Sequence, residues 1–140
     1  MCDHLGLGAL LPHLDRVIVD RVELAEAFVS VRVAPQADEA ACPSCACSSG
    51  RVHSRYDRWL ADATIGGLRV VLRLRARRFF CDDGGCPART FTEQIAGLTS
   101  RYARRSPLLA GTLEAVGLAL AGRAGSRLAR LLGLLNRPTA

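Results

Sequence analysis

The sequence lacks lysine, has few aromatic residues and contains no long apolar run. All 19 cationic residues of the 140-residue chain are arginine, and Phe, Trp and Tyr make up 5% of it. A core with so few rings must be aliphatic and thin, so a bound metal would help to stabilise it. No stretch reaches the roughly 20 apolar residues of a transmembrane helix, and the amino terminus lacks the basic start of a secretory signal. These absences predict a cytoplasmic protein that has no membrane partner.

The net charge of +6 is unevenly distributed along the chain. Residues 1–40 carry a net charge of −4, whereas residues 41–140 carry +10. An anionic partner is therefore expected to dock on the second part. Guanidinium groups pair well with phosphate oxygens, but a GC-rich genome would favour arginine in the same way without any function.

Two β-hairpins are indicated by β-branched residues, alternation and glycine placement. The first would pair residues 16–23 with residues 27–33. The second would pair residues 51–60 with residues 68–80, because Gly66-Gly67 between them supplies the positive φ angles of a tight reversal. Apolar residues alternate with arginines along its second arm, and side chains alternate across a strand. One face of this arm is therefore expected to be core and the other strongly cationic.

Helical periodicity replaces the alternation after residue 100. Ser106 and Pro107 are placed as the cap and first residue of a helix, and its apolar stripe would be Leu109, Leu113, Val116 and Leu120. After a reversal at residues 123–125, Ser126 would cap a second helix that Gly133 ends. The stripe of this second helix would be Leu128, Leu131 and Leu132. Two short helices around a glycine-containing turn are typical of the front of a helix-turn-helix.

Four cysteines form two closely spaced pairs. Cys42 and Cys45 have C-x2-C spacing, and Cys81 and Cys86 have C-x4-C spacing with two glycines between them. Such pairs supply thiolates to one tetrahedral zinc ion. The 35 residues between the pairs are accounted for if the second hairpin runs out from the first pair and returns to it. The sequence therefore predicts one structural zinc ion, with these four cysteines as its ligands.

Other uses of the cysteines remain open. A thiol redox motif would explain Cys42 and Cys45, but it would leave Cys81 and Cys86 without a role. Cys47 and His53 lie close in sequence and could replace a ligand. Cys2 and Cys47 are otherwise expected to be free thiols.

Several separate blocks resemble, in the same order, the amino-terminal region of bacterial insertion-sequence transposases of the ISL-three family. These blocks are Leu11-Pro12-His13-Leu14, Cys42-Pro43-x-Cys45, Arg51-Val52-His53-Ser54-Arg55-Tyr56, Leu60-Ala61-Asp62, Arg77-Arg78-Phe79-Phe80-Cys81 and Phe91-Thr92-Glu93. Members of that family carry a zinc finger, a helix-turn-helix and a catalytic domain with an Asp-Asp-Glu metal site. The resemblance implies a non-catalytic region that binds DNA at the terminal repeats of an insertion element.

Two features depart from the family pattern. Too few residues follow Gly133 for a catalytic domain, and Pro138 would interrupt a recognition helix, so a truncated helix-turn-helix is expected. Ala46 stands where the family usually places glycine after the second cysteine. If that position needs a positive φ angle, alanine there costs up to about 1–2 kcal/mol.

The sequence thus predicts an α+β protein. Residues 1–98 would form a small antiparallel β zinc-finger domain of the zinc-ribbon type, and residues 99–140 a short helical, partial helix-turn-helix segment. The arginines expected to contact DNA phosphates are Arg51, Arg55, Arg58, Arg69, Arg73, Arg75, Arg77, Arg78, Arg127 and Arg130. Alternatives are a zinc-stabilised protein-interaction module and a thiol redox protein, and residues 107–132 are a possible homo-oligomer contact.

Overall fold

The computed structural model describes residues 7–135. A short helix, α1 (Leu7–Leu10), and a 3-10 turn (Pro12–Leu14) come first. Within the described range the strands are β1 (Val17–Leu24), β2 (Phe28–Pro35), β3 (Ala40–Ala41), β4 (Ser48–Ser49), β5 (Val52–Ile65), β6 (Leu68–Phe80) and β7 (Thr90–Thr92). Two helices follow, α2 (Pro107–Ala119) and α3 (Arg123–Leu131). Cys2 and Pro138, with the expectations attached to them, lie outside the described residues.

The main sheet has the strand order β1-β2-β6-β5, with β7 pairing to the end of β6. Both expected hairpins are confirmed, since β1 pairs with β2 and β5 with β6, each antiparallel. The antiparallel expectation is wrong for one pair, because β2 and β6 run parallel. β5 starts at the end where β2 stops and runs back along the sheet, so β6 reverses again and takes the direction of β2.

The turn between β5 and β6 has the expected geometry. Gly66 and Gly67 have φ angles of 58° and 77°, and the two-residue loop matches the twist of the strands on either side. Because the turn is so tight, the first arm continues to Ile65, five residues beyond its expected end.

One face of the main sheet carries an aliphatic core. Val70, Leu72, Leu74 and Ala76 of β6 are buried, as the alternation predicted. They pack with residues of β1, β2, β5 and the turns around the sheet: Leu14, Val17, Val19, Val31, Val33, Leu60, Ile95 and Leu98. Removing this much aliphatic surface from water is the main stabilising contribution of the sheet.

The start of α2 follows the expectation. The hydroxyl of Ser106 accepts the Leu109 amide at 3.2 Å, and Pro107 occupies the first helical position. Leu109 is buried, and Leu113 and Val116 pack around it against Ala61 of β5. The helical segment therefore rests on the sheet through β5.

α3 begins earlier than the sequence suggested. The reversal lies at Gly122, with a φ angle of 73°, and residues 123–125 are already helical, so Ser126 is not the cap. Gly125 is buried, and a Cβ atom added there would collide with the carbonyl of Leu120. A glycine at this point lets the two helices approach each other closely.

The apolar stripe expected on α3 is also corrected. Ala129 and Leu134 are buried, whereas Leu131 is 84% exposed. The Gly133 amide donates to the Arg130 carbonyl and the Leu134 amide to the Ala129 carbonyl, with a φ angle of 72° at Gly133. This is a Schellman ending, in which a glycine closes the helix and the next apolar residue folds back onto it.

The domain boundary expected after residue 98 stays a prediction.

Candidate metal centre and nucleic-acid interface

The four paired cysteines converge on one point although 35 residues separate the pairs. Their Sγ atoms all lie within 4.8 Å of one another. The Cys45–Cys81 separation is 3.5 Å and the Cys42–Cys86 separation is 3.9 Å. Four thiolates about 2.3 Å from a zinc ion stand about 3.8 Å apart at the corners of a tetrahedron. The cluster is therefore compatible with one structural zinc ion.

Short strands and tight turns hold the first pair. β3 and β4 form a two-stranded ladder, and the chain between them turns sharply at the pair. The Cys42 amide donates to the Cys47 carbonyl at 2.9 Å, and the Ala46 amide donates to the Cys42 carbonyl at 2.8 Å. Ala46 has a φ angle of 62°, so the strain anticipated for an alanine at this position is present.

Backbone amides are directed at the sulfur atoms. Burial raises the pKa of the Cys42 thiol, but the amides of Ser44 and Cys45 outweigh it and lower that pKa to about 7. At Cys81 the Asp83 amide lowers the pKa, whereas burial and the neighbouring thiols raise it, to about 12 overall. Cys42 thus ionises easily, whereas Cys81 resists taking a second negative charge into the cluster. A divalent cation relieves that repulsion, since zinc binds thiolates.

A small apolar cluster separates the cysteines from the rest of the sheet. Phe79 is fully buried and stacks on Phe91 with ring centroids 5.8 Å apart, and both pack against Cys42. β6 and β7 carry these rings, so the two ends of the second cysteine loop are fixed by the sheet.

The two alternative ligands lie differently. Cys47 is exposed and forms a second, more open group with Cys45 and Asp83. His53 Nδ1 and the Ser54 hydroxyl share a hydrogen bond of 3.0 Å. The imidazole ring of His53 packs edge-on against Phe80. Among the described residues, His53 belongs to neither group of metal-ligating side chains.

Half of the ten arginines expected at the interface make intramolecular contacts. Arg73 and Arg75 both bind the carboxylate of Asp57, and these contacts lower the pKa of that carboxyl. Further contacts are Arg51 with Asp82, Arg77 with Glu93, and Arg58 with the carbonyls of Ser100 and Ala103. The remaining five, for which the described residues supply no acidic partner, are Arg55, Arg69, Arg78, Arg127 and Arg130.

Arg77 differs from its neighbours in burial. Its side chain is 13% exposed, and its guanidinium makes two bonds to Glu93, at 2.8 and 2.9 Å, and one to the Ala37 carbonyl at 2.6 Å. Bonding to Glu93 raises the pKa of Arg77. This geometry favours a structural role for Arg77, although the sequence placed it among the phosphate contacts.

The strand register adds an arginine that sequence reasoning missed. Arg32 of β2 is opposite both Arg21 of β1 and Arg73 of β6, so three arginines stand in one row across the sheet. Glu23 binds the guanidinium of Arg21, and Asp57 binds that of Arg73. Like charges placed directly opposite one another destabilise a sheet. The alternation of β2 was visible in the sequence, but the parallel pairing that aligns this row was not.

Asp62 makes a second set of contacts that the sequence did not predict. It is 4% exposed and joins three separate parts of the chain. One carboxylate oxygen contacts His13 Nε2 at 2.6 Å, and the other accepts the Ser106 hydroxyl at 2.5 Å. Ser106 is bonded to Asp62 and not to His13, so the histidine is not positioned to take its proton. The contacts fasten the amino-terminal turn and the start of α2 to β5.

The comparisons with known proteins agree with the cysteine geometry. Residues 38–86 match a family model described as the zinc-finger of transposase IS204/IS1001/IS1096/IS1165. No curated protein and no solved structure matches the chain. The matched region is a zinc finger, which is not a catalytic type of domain.

Within the described range, every helix is too short or too polar to cross a membrane.

Proposed function

We propose that this chain is the zinc-stabilised DNA-binding region of a transposase, that it binds the ends of an insertion element, and that it has no catalytic activity of its own. The observation that carries the proposal is the convergence of four sulfur atoms within 4.8 Å, inside the region that matches a transposase zinc finger. Cys42, Cys45, Cys81 and Cys86 are the proposed zinc ligands. By holding both ends of the β5–β6 hairpin, they fix the strands that carry seven of the ten arginines expected to contact DNA.

The proposed interface uses arginines whose guanidinium groups are exposed. Arg55 and Arg78 lie on the hairpin, and Arg127 and Arg130 lie on α3. In the row of Arg21, Arg32 and Arg73, carboxylates bind the two outer arginines, and exposed Arg32 adds a positive charge that a phosphate could meet. These contacts give affinity with little sequence choice.

Half-buried Arg69 stays a predicted phosphate contact, and the other five arginines of the expected ten take supporting roles in this proposal. Arg51, Arg73 and Arg75 are bound to carboxylates yet remain more than a third exposed, so each can still meet a phosphate. Arg58 and Arg77 are held by carbonyls or by a buried carboxylate, and they position the surface. α2 and α3 would be the front of the helix-turn-helix, the part of the region that we propose selects the DNA sequence.

The test combines metal analysis with DNA titration. We expect one zinc per chain in the purified protein, and we expect Cys81→Ser to lose it. Binding of a 20–30 base-pair duplex, measured by fluorescence anisotropy at several salt concentrations, should weaken linearly on logarithmic axes, with a slope of about −0.9 per phosphate contacted.

Matched variants locate the surface. Arg55→Ala and Arg130→Ala should each reduce the magnitude of the salt slope by about 1. Arg16→Ala, an exposed arginine in the acidic first part of the chain, is the control and should leave the slope unchanged. Zinc-loaded protein that shows no salt-dependent affinity for any duplex would overturn the proposal.

A second candidate function is a protein-interaction module. It rests on exposed leucines of the helical segment: Leu118 is 81% exposed and Leu131 is 84% exposed. Exposed leucines mark an interaction surface where they form one contiguous apolar patch. Self-association measured by sedimentation, with Leu118→Ser as the test variant and without DNA, would favour this function or the homo-oligomer through residues 107–132.

A further inference from the structure

A groove of about 1000 Å³ is lined by residues of β5, β6 and β7 and by the chain segment 101–104. β5 is the edge strand of the main sheet, and the chain that follows Tyr102 pairs with its outer side at Ala61. Sites for small organic ligands typically enclose about 300–1,000 Å³, so the groove has room for more than a single ion or water cluster. Pro43 and Ser44 of the first cysteine loop and Tyr102 are also part of its lining.

Tyr102 is the unusual residue of this groove. Its side chain is 83% exposed and its φ angle is 62°, a left-handed conformation that costs energy for any residue with a Cβ atom. Because the ring is so exposed, burial of its surface does not explain the strain. Arg101 lies over one side of the ring, 4.9 Å from its centroid.

The chain around Tyr102 is held in place from β5. Arg58 donates to the carbonyls of Ser100 and Ala103, the latter at 2.7 Å, so one guanidinium spans the turn. The Ala61 amide donates to the Arg104 carbonyl at 2.9 Å. The ring is therefore presented by a fixed turn, which limits the conformational entropy lost when a ligand stacks on it.

The charge along the groove is positive. Arg78, Arg101 and Arg104 are exposed and line it, and no acidic partner is found for them among the described residues. The one acid in the lining, Asp57, is already bound by Arg73 and Arg75. A negatively charged ligand is therefore favoured over a neutral or cationic one.

An aromatic platform with arginines around it fits an unpaired nucleotide segment. Bases in a duplex are stacked on each other and do not present their faces, whereas bases of a single strand can stack on a tyrosine while arginines meet the phosphates. We propose that this groove binds a short single-stranded DNA segment, with Tyr102 stacking on a base and Arg101 and Arg104 contacting phosphates. The inference rests on the proposed function, because it presumes that the chain binds DNA.

The experiment compares three ligands on the zinc-loaded full chain: a blunt duplex, the same duplex with a six-nucleotide single-stranded overhang, and an acidic peptide of polyglutamate. The unaltered protein should bind the overhang duplex more tightly than the blunt one. Tyr102→Ala should lose roughly tenfold or more of the affinity for the overhang duplex and keep the affinity for the blunt duplex. Tyr102→Phe keeps the ring and should retain the preference.

The outcomes separate this inference from the proposed function. An overhang preference that survives in Tyr102→Ala, with blunt-duplex binding intact, overturns the inference and leaves the proposed function standing. Absence of binding to both DNAs overturns both. Polyglutamate that binds as tightly as the overhang duplex, and loses affinity in Tyr102→Ala, overturns the inference in favour of an acidic peptide site. An unchanged thermal unfolding temperature for the variants serves as the folding control.

Discussion

Arg75 and Arg77 stand two residues apart on the same strand, and the structure predicts opposite consequences for their removal. Arg77 is 13% exposed and Glu93 is 5% exposed, and two hydrogen bonds of 2.8 and 2.9 Å join them. Arg75 is 57% exposed and shares Asp57 with Arg73. Arg77→Ala should therefore destabilise the fold far more than Arg75→Ala.

The magnitudes follow from burial. Arg77→Ala leaves the Glu93 carboxylate buried without a partner, which typically costs about 3–5 kcal/mol. It also removes the guanidinium that lies 5.0 Å from the centroid of Phe79. Arg75→Ala removes a solvent-exposed ion pair, and Arg73 continues to bind Asp57, so the expected cost is about 0–1 kcal/mol. The free energy of unfolding is measured by urea titration of the zinc-loaded protein at neutral pH.

A double variant keeps the comparison informative where Arg77→Ala does not fold. Arg77→Met combined with Glu93→Leu removes both charges at similar volume, and such replacements are often neutral or stabilising. We expect this variant to recover most of the stability that Arg77→Ala loses. A loss for Arg77→Ala no larger than that for Arg75→Ala would refute the reasoning. A fully stable Arg77→Ala protein with reduced DNA affinity would return Arg77 to the phosphate contacts.

Three further outcomes are expected. Ala46→Gly should stabilise the zinc-loaded protein by about 1 kcal/mol in urea titration, because glycine adopts a φ angle of 62° without strain; an unchanged or lower stability would contradict this. Gly125→Ala should destabilise by about 1–3 kcal/mol, because its Cβ would meet the Leu120 carbonyl, and a neutral result in the same titration would show that the helices separate easily. Removing zinc with a chelator should abolish hydrogen-exchange protection around Phe79 and the cysteine loops first, since their apolar cluster is separate from the main core; simultaneous loss of protection in β1 would show that the two clusters unfold together.

Side chains from four of the sequence blocks that carry the family resemblance contact each other in pairs. His13 of the block at residues 11–14 contacts Asp62 of the block at residues 60–62. Arg77 of the block at residues 77–81 binds Glu93 of the block at residues 91–93. Each contact is a buried or nearly buried polar pair between elements far apart in the chain. Such pairs are costly to break, because a single change leaves the other member unsatisfied. They fasten the surface that the proposed function assigns to DNA.

The sequence by itself determined the features that depend on short-range geometry. Alternation identified both hairpins, two glycines identified the turn between β5 and β6, and Ser106-Pro107 identified the start of α2. The spacing of the cysteines identified the two halves of one site, and the structure brings them together. These features could be predicted because strand period, turn conformation and helix capping are fixed by a few neighbouring residues.

Only the tertiary structure decided which distant residues meet. The parallel pairing of β2 with β6 aligns the arginine row, and the packing of α3 against α2 moves its start to Arg123 and its buried face to Ala129. The same applies to charge, because Asp57 and Glu93 bind arginines 16 to 18 positions away and so determine which guanidinium groups remain exposed. The groove and the strained Tyr102 have no local signature, since they arise where a turn passes the free edge of a strand. Contacts of this kind depend on packing between elements, which no short stretch of sequence encodes.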